Sequence, residues 1–253
     1  HSTSIDRDFK YILKQYFRRR IKSVATEFLS CGEEAGRFLY GGEAYTVIPN
    51  AVDASKFYFD SNIRNKKRAE LGIRDEFVVG HIGRICYPKN HRFLVDIFKE
   101  VRRMDLNAIL LIVGVGEKEE EIRQYVSEQN LNGNVRFLGN RSDVSELYQA
   151  MDAFVLPSLY EGVPLVGIEA QFADLPCFFS DQVSAEVKFS RNVHFISLDT
   201  SAEHWAEKIV ACKGSGRSKY RNDIVNSPYD IKVAYKILEN YYLSLEENVR
   251  KGQ

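Results

Sequence analysis

Short apolar runs alternate with amphipathic segments along the chain from Phe77 onward. The apolar runs are rich in β-branched and aromatic side chains, and they read FVVGHI, AILLIVG, VRFLG, AFVLP, PCFFS and VHFI. This composition predicts strands that are buried in a sheet. In the segments between them, such as HRFLVDIFKEVRR, apolar residues recur three and four positions apart, which predicts helices. The alternation therefore predicts an α/β fold with a doubly wound parallel sheet.

The two ends of the chain follow another pattern. Residues 5–22 are basic and aromatic-rich and predict a helix, while ATEFLSCG, EEAGRFLYG and TVIPN predict a strand, a short helix and another extended run. These elements are too few to bury a core alone. We expect residues 1–46 to be the remnant of another domain, 47–227 to form the main domain, and 228–253 to form a final helix that packs back toward the first part. The polar stretch NAVDASKFYFDSNIRNKK is expected to be a connection into the main domain.

The sequence SLYEGVPLVGIEA joins a predicted strand to a predicted helix and carries Glu161 and Glu169. A corner of this kind in an α/β protein is where ligands bind. Gly162 permits a positive φ or the close approach of a ligand to the backbone. Pro164 suits the first helical position, where its missing N–H group would be unpaired in any residue. The free N–H groups near Leu165 would then point at the corner, where they suit a phosphate.

Two interpretations of the glutamates are open. Both can be ordinary solvated residues, one on a loop and one on a helix. Glu169, however, is surrounded by Val166, Ile168 and Phe172, so its part of the helix is largely apolar. Because a carboxylate on a mostly buried helix needs a partner, we favour a binding role in which Glu169 accepts hydrogen bonds from a pair of hydroxyl groups.

The sequence HIGRICYPKN follows the first strand of the main domain, where Gly83 ends the strand and Arg84 and Lys89 follow. In a doubly wound sheet this loop lies at the same edge as the corner that carries Glu161. Two cations there suit a diphosphate, because arginine binds it with paired hydrogen bonds and lysine acts as a point charge. The alternative is that both are solvated loop cations.

The sequence VGVGE follows the second strand and contains Gly114 and Gly116. It is similar to part of a dinucleotide fingerprint but lacks the third glycine. Two interpretations stay open here, a simple tight turn and a backbone that skirts a nucleoside.

The sequence FLGNRSDVSELY offers a similar turn after the third strand. Gly139, Asn140 and Arg141 are placed to line a base at that end of the sheet. Asp143, which follows them, is expected to be the N-cap of the next helix.

Composition narrows the function classes. The net formal charge is zero, so no global basic field favours nucleic acid as a partner. The four cysteines and five histidines show no metal-ligand or redox spacing, so we expect no metal ion and no cofactor, and the free thiols favour a cytoplasmic location. The basic segment 5–22 either rests on an anionic membrane surface or faces water, and we favour water.

Taken together, these motifs resemble the retaining family 4 glycosyltransferases, which have the GT-B fold. SLYEGVPLVGIEA resembles the family's motif of two glutamates separated by seven residues, and GRICYPKN resembles its Gly-Arg…Lys donor loop. VIPNAVDASKF resembles the stretch that enters its C-terminal, Rossmann-like domain. The resemblance covers nearly the whole chain and is closest to the transferases of bacterial capsular or exopolysaccharide synthesis.

The resemblance implies a role for each motif. The substrate would be a nucleotide-diphosphate-sugar, a UDP-sugar, whose hexose passes to a glycan or lipid-linked glycan acceptor without a metal ion. Arg84 and Lys89 would neutralise the diphosphate, Glu161 would contact the sugar, and Glu169 would hold the ribose hydroxyl groups. Sugar and phosphate would also contact the backbone at four consecutive positions, Gly162, Val163, Pro164 and Leu165.

The resemblance also implies a second domain, because GT-B enzymes bind acceptor and donor between two Rossmann-like domains. Almost none of the acceptor domain is expected in this sequence. We therefore expect this chain by itself to bind nucleotide weakly and to transfer sugar poorly or not at all. The longer protein is expected at the inner face of the cell membrane, bound peripherally. Two other functions stay open, a GT-B sugar-nucleotide epimerase and a non-catalytic nucleotide-sugar-binding module.

Overall fold

The computed structural model describes four parts of the chain, residues 16–17, 20–21, 23–217 and 224–251. The chain divides into two compact units, a smaller one of residues 1–52 and 226–253 and a larger one of residues 53–225. The basic helix predicted over residues 5–22 lies mostly outside the described residues. The domain boundaries expected from the sequence stay predictions.

The described part of the smaller unit includes the short parallel strands β1 (Leu29–Ser30) and β2 (Thr46–Val47) and the helices α1 (Glu33–Tyr40) and α8 (Ile231–Lys251). The hydroxyl group of Tyr40 donates to Leu29 O at 2.6 Å, which ties α1 to the first strand. Tyr241 of α8 donates to the Glu27 carboxylate at 2.8 Å. Both strands are shorter than the extended runs predicted from the sequence.

The larger unit is built on six parallel strands, in which each of the six apolar runs forms one strand. They are β3 (Phe77–Ile82), β4 (Ala108–Val113), β5 (Val135–Gly139), β6 (Ala153–Leu156), β7 (Cys177–Ser180) and β8 (Val193–Ile196). Their order across the sheet is β5-β4-β3-β6-β7-β8, which is the Rossmann order. The predicted doubly wound parallel sheet is confirmed.

Helices cover both faces of this sheet. One layer contains α3 (His91–Met104), α4 (Glu119–Glu128) and α7 (Ala202–Val210). The other contains α2 (Ser61–Glu70), α5 (Val144–Ala150) and α6 (Leu165–Phe172). The main hydrophobic core lies between the sheet and the first layer, where Phe93 of α3 meets the buried Trp205 of α7 edge to face. In the described part of the chain, no helix is both long and apolar enough to cross a membrane.

Helix α2 corrects the interpretation of the polar stretch as a connection. The Asp60 carboxylate caps it by accepting hydrogen bonds from the N–H groups of Asn62 and Ile63. The helix has no apolar stripe, and it buries Lys67 and Arg68 instead. Periodicity failed here because charged residues fill the inner face, where ion pairs and backbone carbonyls satisfy them.

The buried ammonium group of Lys67 is the centre of this charged cluster. It contacts the carboxylates of Asp143 at 2.7 Å, Glu70 at 2.8 Å and Glu146 at 2.9 Å. The contact with Asp143 links α2 to the start of α5. Hydrogen bonds from Arg141, and then from Lys67, hold the pKa of Asp143 well below its ordinary value.

The order of the strands places a crevice at one edge of the sheet. The chain leaves β3 toward one side and β6 toward the other, so the crevice opens at the carboxyl ends of these two neighbours. The backbone ladder continues past the strands, since Gly83 N–H donates to Val113 O at 2.9 Å and Gly114 N–H donates to Gly139 O at 2.8 Å. The predicted site residues after β3, β4, β5 and β6 therefore share this edge.

Asp143→Asn is expected to lower the free energy of unfolding at pH 7 by about 1.5–3 kcal/mol, because it removes charge-assisted hydrogen bonds. A carboxyl group whose pKa is depressed by folding stabilises the protein above its unfolded pKa, and this contribution is lost as the pH falls. The difference from wild type should therefore shrink below the ordinary value of 3.8. Urea titrations at neutral and acid pH measure it, with the exposed Asp75→Asn as control. If the difference in stability between Asp143→Asn and wild type does not change with pH, the charged contacts assigned to Asp143 are contradicted.

Candidate functional site

The loop after β3, residues 83–90, carries the first predicted group of ligands. A short 3-10 turn over Tyr87–Lys89 folds the lysine back over the end of the strand, and Asn90, with φ 54°, then starts α3. The Lys89 Cε atom lies 3.2 Å from the point where a side chain on Gly83 would begin. Gly83 thus leaves the room that Lys89 occupies.

The corner after β6, residues 157–164, meets this loop through an ion pair. Lys89 Nζ contacts Glu161 Oε1, and the two side chains are only 15% and 18% exposed. Ser158 Oγ lies 3.4 Å from the same carboxylate oxygen, and Leu159 N–H donates to Pro88 O at 2.8 Å. The structure therefore brings two of the predicted residues, Lys89 and Glu161, into direct contact.

The backbone of the corner is held from its other side by the segment after β7. Glu161 N–H donates to Gln182 O at 3.2 Å, and Ser184 N–H donates to Glu161 O at 3.0 Å. Ser180 Oγ donates to Ser158 O at 2.5 Å. Bonds on both sides fix where the Glu161 side chain leaves the backbone.

Two details of the corner differ from the expectation. Gly162 does not have a positive φ, and no atom lies within 4 Å of the position that a Cβ would take there. Pro164 is the N-cap of α6, with φ −73° and ψ 121°, so Leu165 is the first helical residue. The proline was predicted one position too far into the helix, because its φ suits both positions. The space beside Gly162 is open to a ligand, and contact there stays a prediction, as it does for Val163.

Gly114 and Gly116 allow the loop after β4 to pack against the loop after β3. A Cβ on Gly114 would lie 2.2 Å from Gly83 O, and one on Gly116 would lie 2.2 Å from Ile85 O. Gly114 also has φ 126°, which favours glycine. Ile85 N–H donates to Val115 O at 3.1 Å, which joins the two loops. Packing against another loop is a reason for these glycines that the sequence did not show, and their contact with a nucleotide stays a prediction.

Arg84 and Lys89 are engaged by different carboxylates. The Arg84 guanidinium contacts Glu117 Oε2 at 3.0 Å, and its side chain is 73% exposed. Glu117 lies on the loop after β4, and the sequence analysis did not identify it as a partner. Arg84 is therefore a solvent-facing cation at the rim, whereas Lys89 is mostly enclosed.

The loop after β5 lies beside the loop after β4. Gly139 has φ 66° and accepts the hydrogen bond from Gly114 N–H, while Asn140 is exposed. Nothing lies within 4 Å of a Cβ built on Gly139. The space beside Gly139 is therefore open, and contact with a base stays a prediction.

Arg141 is already bound by an acidic partner. Its Nε and a terminal nitrogen donate to the two Asp143 oxygens at 2.8 and 2.6 Å. Asp143 occupies the predicted N-cap position of α5, but its side chain makes no capping hydrogen bond. The expectation was right about the position and wrong about the bond, because the carboxylate pairs with Arg141 and Lys67 instead.

Glu169 lies just over one turn into α6 and is half-buried. The hydroxyl group of the fully buried Tyr148 lies 3.0 Å from Glu169 Oε2 and 2.9 Å from Val166 O. Burial raises the pKa of Glu169, and the hydrogen bond with Tyr148 opposes that rise. Tyr148 is the partner that a carboxylate on a largely apolar helix requires, and the sequence alone did not identify it.

Two histidines under the loop after β3 add no charge to the site at neutral pH. His81 and His91 are buried with ring centroids 4.5 Å apart, and His81 Nδ1 bonds to Val155 O at 2.9 Å. Burial lowers the pKa of His91 to about 4 and that of His81 well below its ordinary value. The positive charge near the corner therefore comes from Lys89. Among the described residues, no three acidic, histidine or cysteine side chains form a metal-binding group.

The known proteins that this chain resembles are glycosyltransferases. The sequence profile of the family described as "Glycosyl transferases group 1" matches residues 63–226, more than half of the chain. The chain is similar to EpsF of Bacillus subtilis (strain 168), which carries a glycosyltransferase name, with 34% identity over 236 residues, or 89% of this chain and 62% of EpsF. It also resembles the Escherichia coli UDP-Gal:alpha-D-GlcNAc-diphosphoundecaprenol alpha-1,3-galactosyltransferase, with 37% identity over 140 residues, 54% of this chain and 36% of that protein.

The chain thus spans less than two thirds of the length of either relative. Among solved structures, that of Anabaena Alr3699/HepE in complex with UDP matches with a TM-score of 0.77 and 21% identity, covering 95% of this chain and 69% of that one. At this level of identity the likeness shows the fold. The GT-B fold implied by the sequence motifs is therefore confirmed.

Gly116→Ala is expected to destabilise the larger unit by about 1–3 kcal/mol, because the added methyl group would overlap the backbone oxygen of Ile85. Gly133→Ala is the matched control, since nothing lies within 4 Å of a Cβ at that position. Urea denaturation of both variants measures the difference. Equal stability of the two variants would show that the loops after β3 and β4 do not pack as described.

Proposed function

The chain belongs to the group 1 glycosyl transferases, and from this premise we propose that its larger unit binds the sugar donor of a retaining glycosyltransferase. The donor is a nucleotide-diphosphate-sugar, a UDP-sugar, and the transferred group is a hexose. We propose that the longer protein passes this sugar to a glycan or lipid-linked glycan in cell-surface polysaccharide synthesis. The name of the E. coli relative, which includes UDP-Gal and diphosphoundecaprenol, supports this choice of donor and acceptor.

The ion pair between Lys89 and Glu161 is the observation that carries the proposal. In a sugar nucleotide, the sugar is bonded directly to the second phosphate. A protein that holds both needs a cation and a hydrogen-bond acceptor a few ångströms apart. Lys89 and Glu161 are in contact at the carboxyl ends of β3 and β6, and both side chains are mostly enclosed. Lys89 would bind the diphosphate there, and Glu161 would bind a sugar hydroxyl group.

The same groups support bond cleavage. When the bond between sugar and phosphate breaks, negative charge develops on the departing diphosphate, and fixed cations and N–H dipoles lower the energy of that state. Lys89 supplies one charge, and Arg84 supplies a second when it leaves Glu117. In α6, Gly167 and Ile168 donate hydrogen bonds to Pro164 O. The N–H groups of Leu165 and Val166 come before them, at the start of the helix, where they would donate to the phosphate.

The two glutamates are better suited to binding hydroxyl groups than to acid–base catalysis. Glu161 is held by Lys89, and Glu169 is held by Tyr148. Carboxylate oxygens accept hydrogen bonds from hydroxyl groups, and these two contacts hold each carboxylate in place. We propose that Glu161 binds the sugar and Glu169 binds the ribose.

Transfer needs an acceptor site as well. We propose that this chain by itself binds the donor weakly through its larger unit and transfers sugar poorly or not at all. The longer protein would act in the cytoplasm at the inner face of the membrane, which it would bind peripherally. Incubation of this chain with UDP-glucose and a lipid-linked acceptor tests the proposal. Efficient transfer would overturn it, and conversion of the sugar nucleotide without an acceptor would favour an epimerase.

Lys89→Met is expected to weaken UDP binding by about 10- to 100-fold and to leave uridine binding unchanged, because the diphosphate is the part of UDP that the ammonium group is proposed to bind. Calorimetric titration with UDP, GDP, ADP and uridine measures this. Lys213→Met is the matched control, because Lys213 also forms an ion pair, with Asp105 at 2.6 Å, at the opposite edge of the sheet.

The double variant Lys89→Met, Glu161→Gln removes the carboxylate that the single change leaves buried and unpaired. It should bind UDP as weakly as the single variant. A return to wild-type affinity would show that the loss came from the unpaired carboxylate. If the unmodified chain binds none of the three nucleotides at millimolar concentration, the proposed function fails.

Gly162→Ala is expected to weaken the binding of UDP-glucose by about tenfold or more relative to UDP, because a methyl group would fill the open space beside the corner where the sugar lies. Its stability should not change, since no protein atom lies within 4 Å of the new carbon. Gly133→Ala, which has the same open surroundings, should bind both ligands normally. Equal affinities of Gly162→Ala and wild type for UDP-glucose would contradict contact between the sugar and Gly162.

A further inference from the structure

We propose that Tyr148 is a positioning residue that holds the Glu169 carboxylate for the ribose hydroxyl groups, so that it contributes to the preference for ribonucleotides over deoxyribonucleotides. The inference rests on the proposed function, in which Glu169 binds the ribose. It adds a residue on a different helix, outside the corner that binds the sugar and phosphate.

The contacts of the Tyr148 hydroxyl group are the first observation. It lies 3.0 Å from Glu169 Oε2 and 2.9 Å from Val166 O, both on α6. Among the described residues, no hydrogen bond to Glu169 Oε1 accompanies this contact. One carboxylate oxygen is thus anchored to the protein, and the other is available to a ligand.

The second observation is that Tyr148 cannot easily move. Its ring is fully buried and lies edge to face with Phe57 and against Phe154, with centroids 5.9 and 5.7 Å away. Its backbone oxygen accepts a hydrogen bond from Arg217 at 2.6 Å. The position of the hydroxyl group is therefore set by the core and by the end of α5.

Further arginines fix the carboxyl end of α5. Arg64 donates to Gln149 O at 2.9 Å, and Arg68 donates to Ala150 O at 3.0 Å. These bonds satisfy carbonyl groups that a helix end leaves unpaired. Because the helix end is held in this way, the Tyr148 hydroxyl group is a fixed reference point for α6.

The chemistry of the pair explains its role. A tyrosine hydroxyl group has one proton, and here it faces two acceptors, a backbone oxygen and a carboxylate. When the hydroxyl group donates to Glu169 Oε2, it favours the ionised carboxylate and opposes the effect of burial. Two ribose hydroxyl groups that donate to the carboxylate add hydrogen bonds to the same ionised form. Ribose binding is thereby linked to ionisation of Glu169.

The main alternative is a purely structural role, in which Tyr148 joins α5 to α6 through Val166 O. This role predicts that loss of the hydroxyl group weakens every ligand equally. A positioning role predicts a selective effect on ligands with both ribose hydroxyl groups. UDP and 2′-deoxy-UDP differ by one of these groups, so the ratio of their affinities separates the two roles.

Calorimetric titration of wild type, Tyr148→Phe and Glu169→Gln with both nucleotides tests the proposal. Wild type should prefer UDP by about tenfold, as expected for one hydrogen bond to a charged group. The preference should fall to about twofold in Tyr148→Phe, which keeps the buried ring, and in Glu169→Gln. Tyr125→Phe is the matched control, because Tyr125 also donates to a carboxylate, that of Asp96, on the opposite face of the sheet.

The dependence of the preference on pH is a second readout. Tyr148 is the titratable group that faces Glu169 from α5, and Cys177 of β7 lies near Tyr148. Because the tyrosine hydrogen bond lowers the pKa of Glu169, its removal raises that pKa. As the pH falls, Tyr148→Phe should lose its remaining preference at a higher pH than wild type loses its own.

The outcomes separate the two proposals. If wild type binds no UDP, the proposed function fails. If wild type prefers UDP and Glu169→Gln loses the preference while Tyr148→Phe retains it, only the role of Tyr148 is overturned. An equal loss of affinity for both nucleotides in Tyr148→Phe also overturns that role. If the phenylalanine variant does not fold, Glu169→Gln still tests the inference. An unchanged ratio of UDP to 2′-deoxy-UDP affinity in that variant overturns it, because positioning Glu169 would then have no consequence.

Discussion

The ion pair between Lys89 and Glu161 is the contact on which the site depends. It joins the loop after β3 to the corner after β6, at the point where the strand order reverses. Because parallel strands end at the same edge, residues more than seventy positions apart in the chain meet there. The pair is mostly enclosed, so each group lowers the cost of burying the other. A ligand with a phosphate next to a sugar offers both groups new partners.

The surroundings of this pair keep the charge of the site balanced. Arg84 faces Glu117, Arg141 faces Asp143, and the buried histidines beside Lys89 are neutral at neutral pH. The site therefore does not attract anions by a large net charge. Under the proposed function it would bind a diphosphate by exchanging internal carboxylate partners for phosphate oxygens, and the N–H groups at the start of α6 would add to this without adding net charge.

Backbone packing places the loops as much as charge does. Gly114 and Gly116 let the loops after β3 and β4 approach within a distance that no side chain would permit. On the other face, arginines hold the end of α5, and Tyr148 extends this fixed frame to Glu169 on α6. Most of the groups proposed to bind the donor thus lie on loops, while Glu169 lies on α6, and each loop is held by rigid elements on either side.

The sequence by itself determined the six strands, the doubly wound class, and the loops that carry Lys89 and Glu161, because burial imposes a periodic pattern that is local in the chain. It did not determine α2, whose buried face is charged, nor the position of Pro164, since φ near −65° suits two neighbouring positions. Which carboxylate meets which cation was decided by the tertiary structure alone. The ion pairs of Lys89 and Arg84, and the hydrogen bond between Tyr148 and Glu169, each join separate loops or helices. Their distances follow from strand order and helix packing, which a linear pattern does not contain.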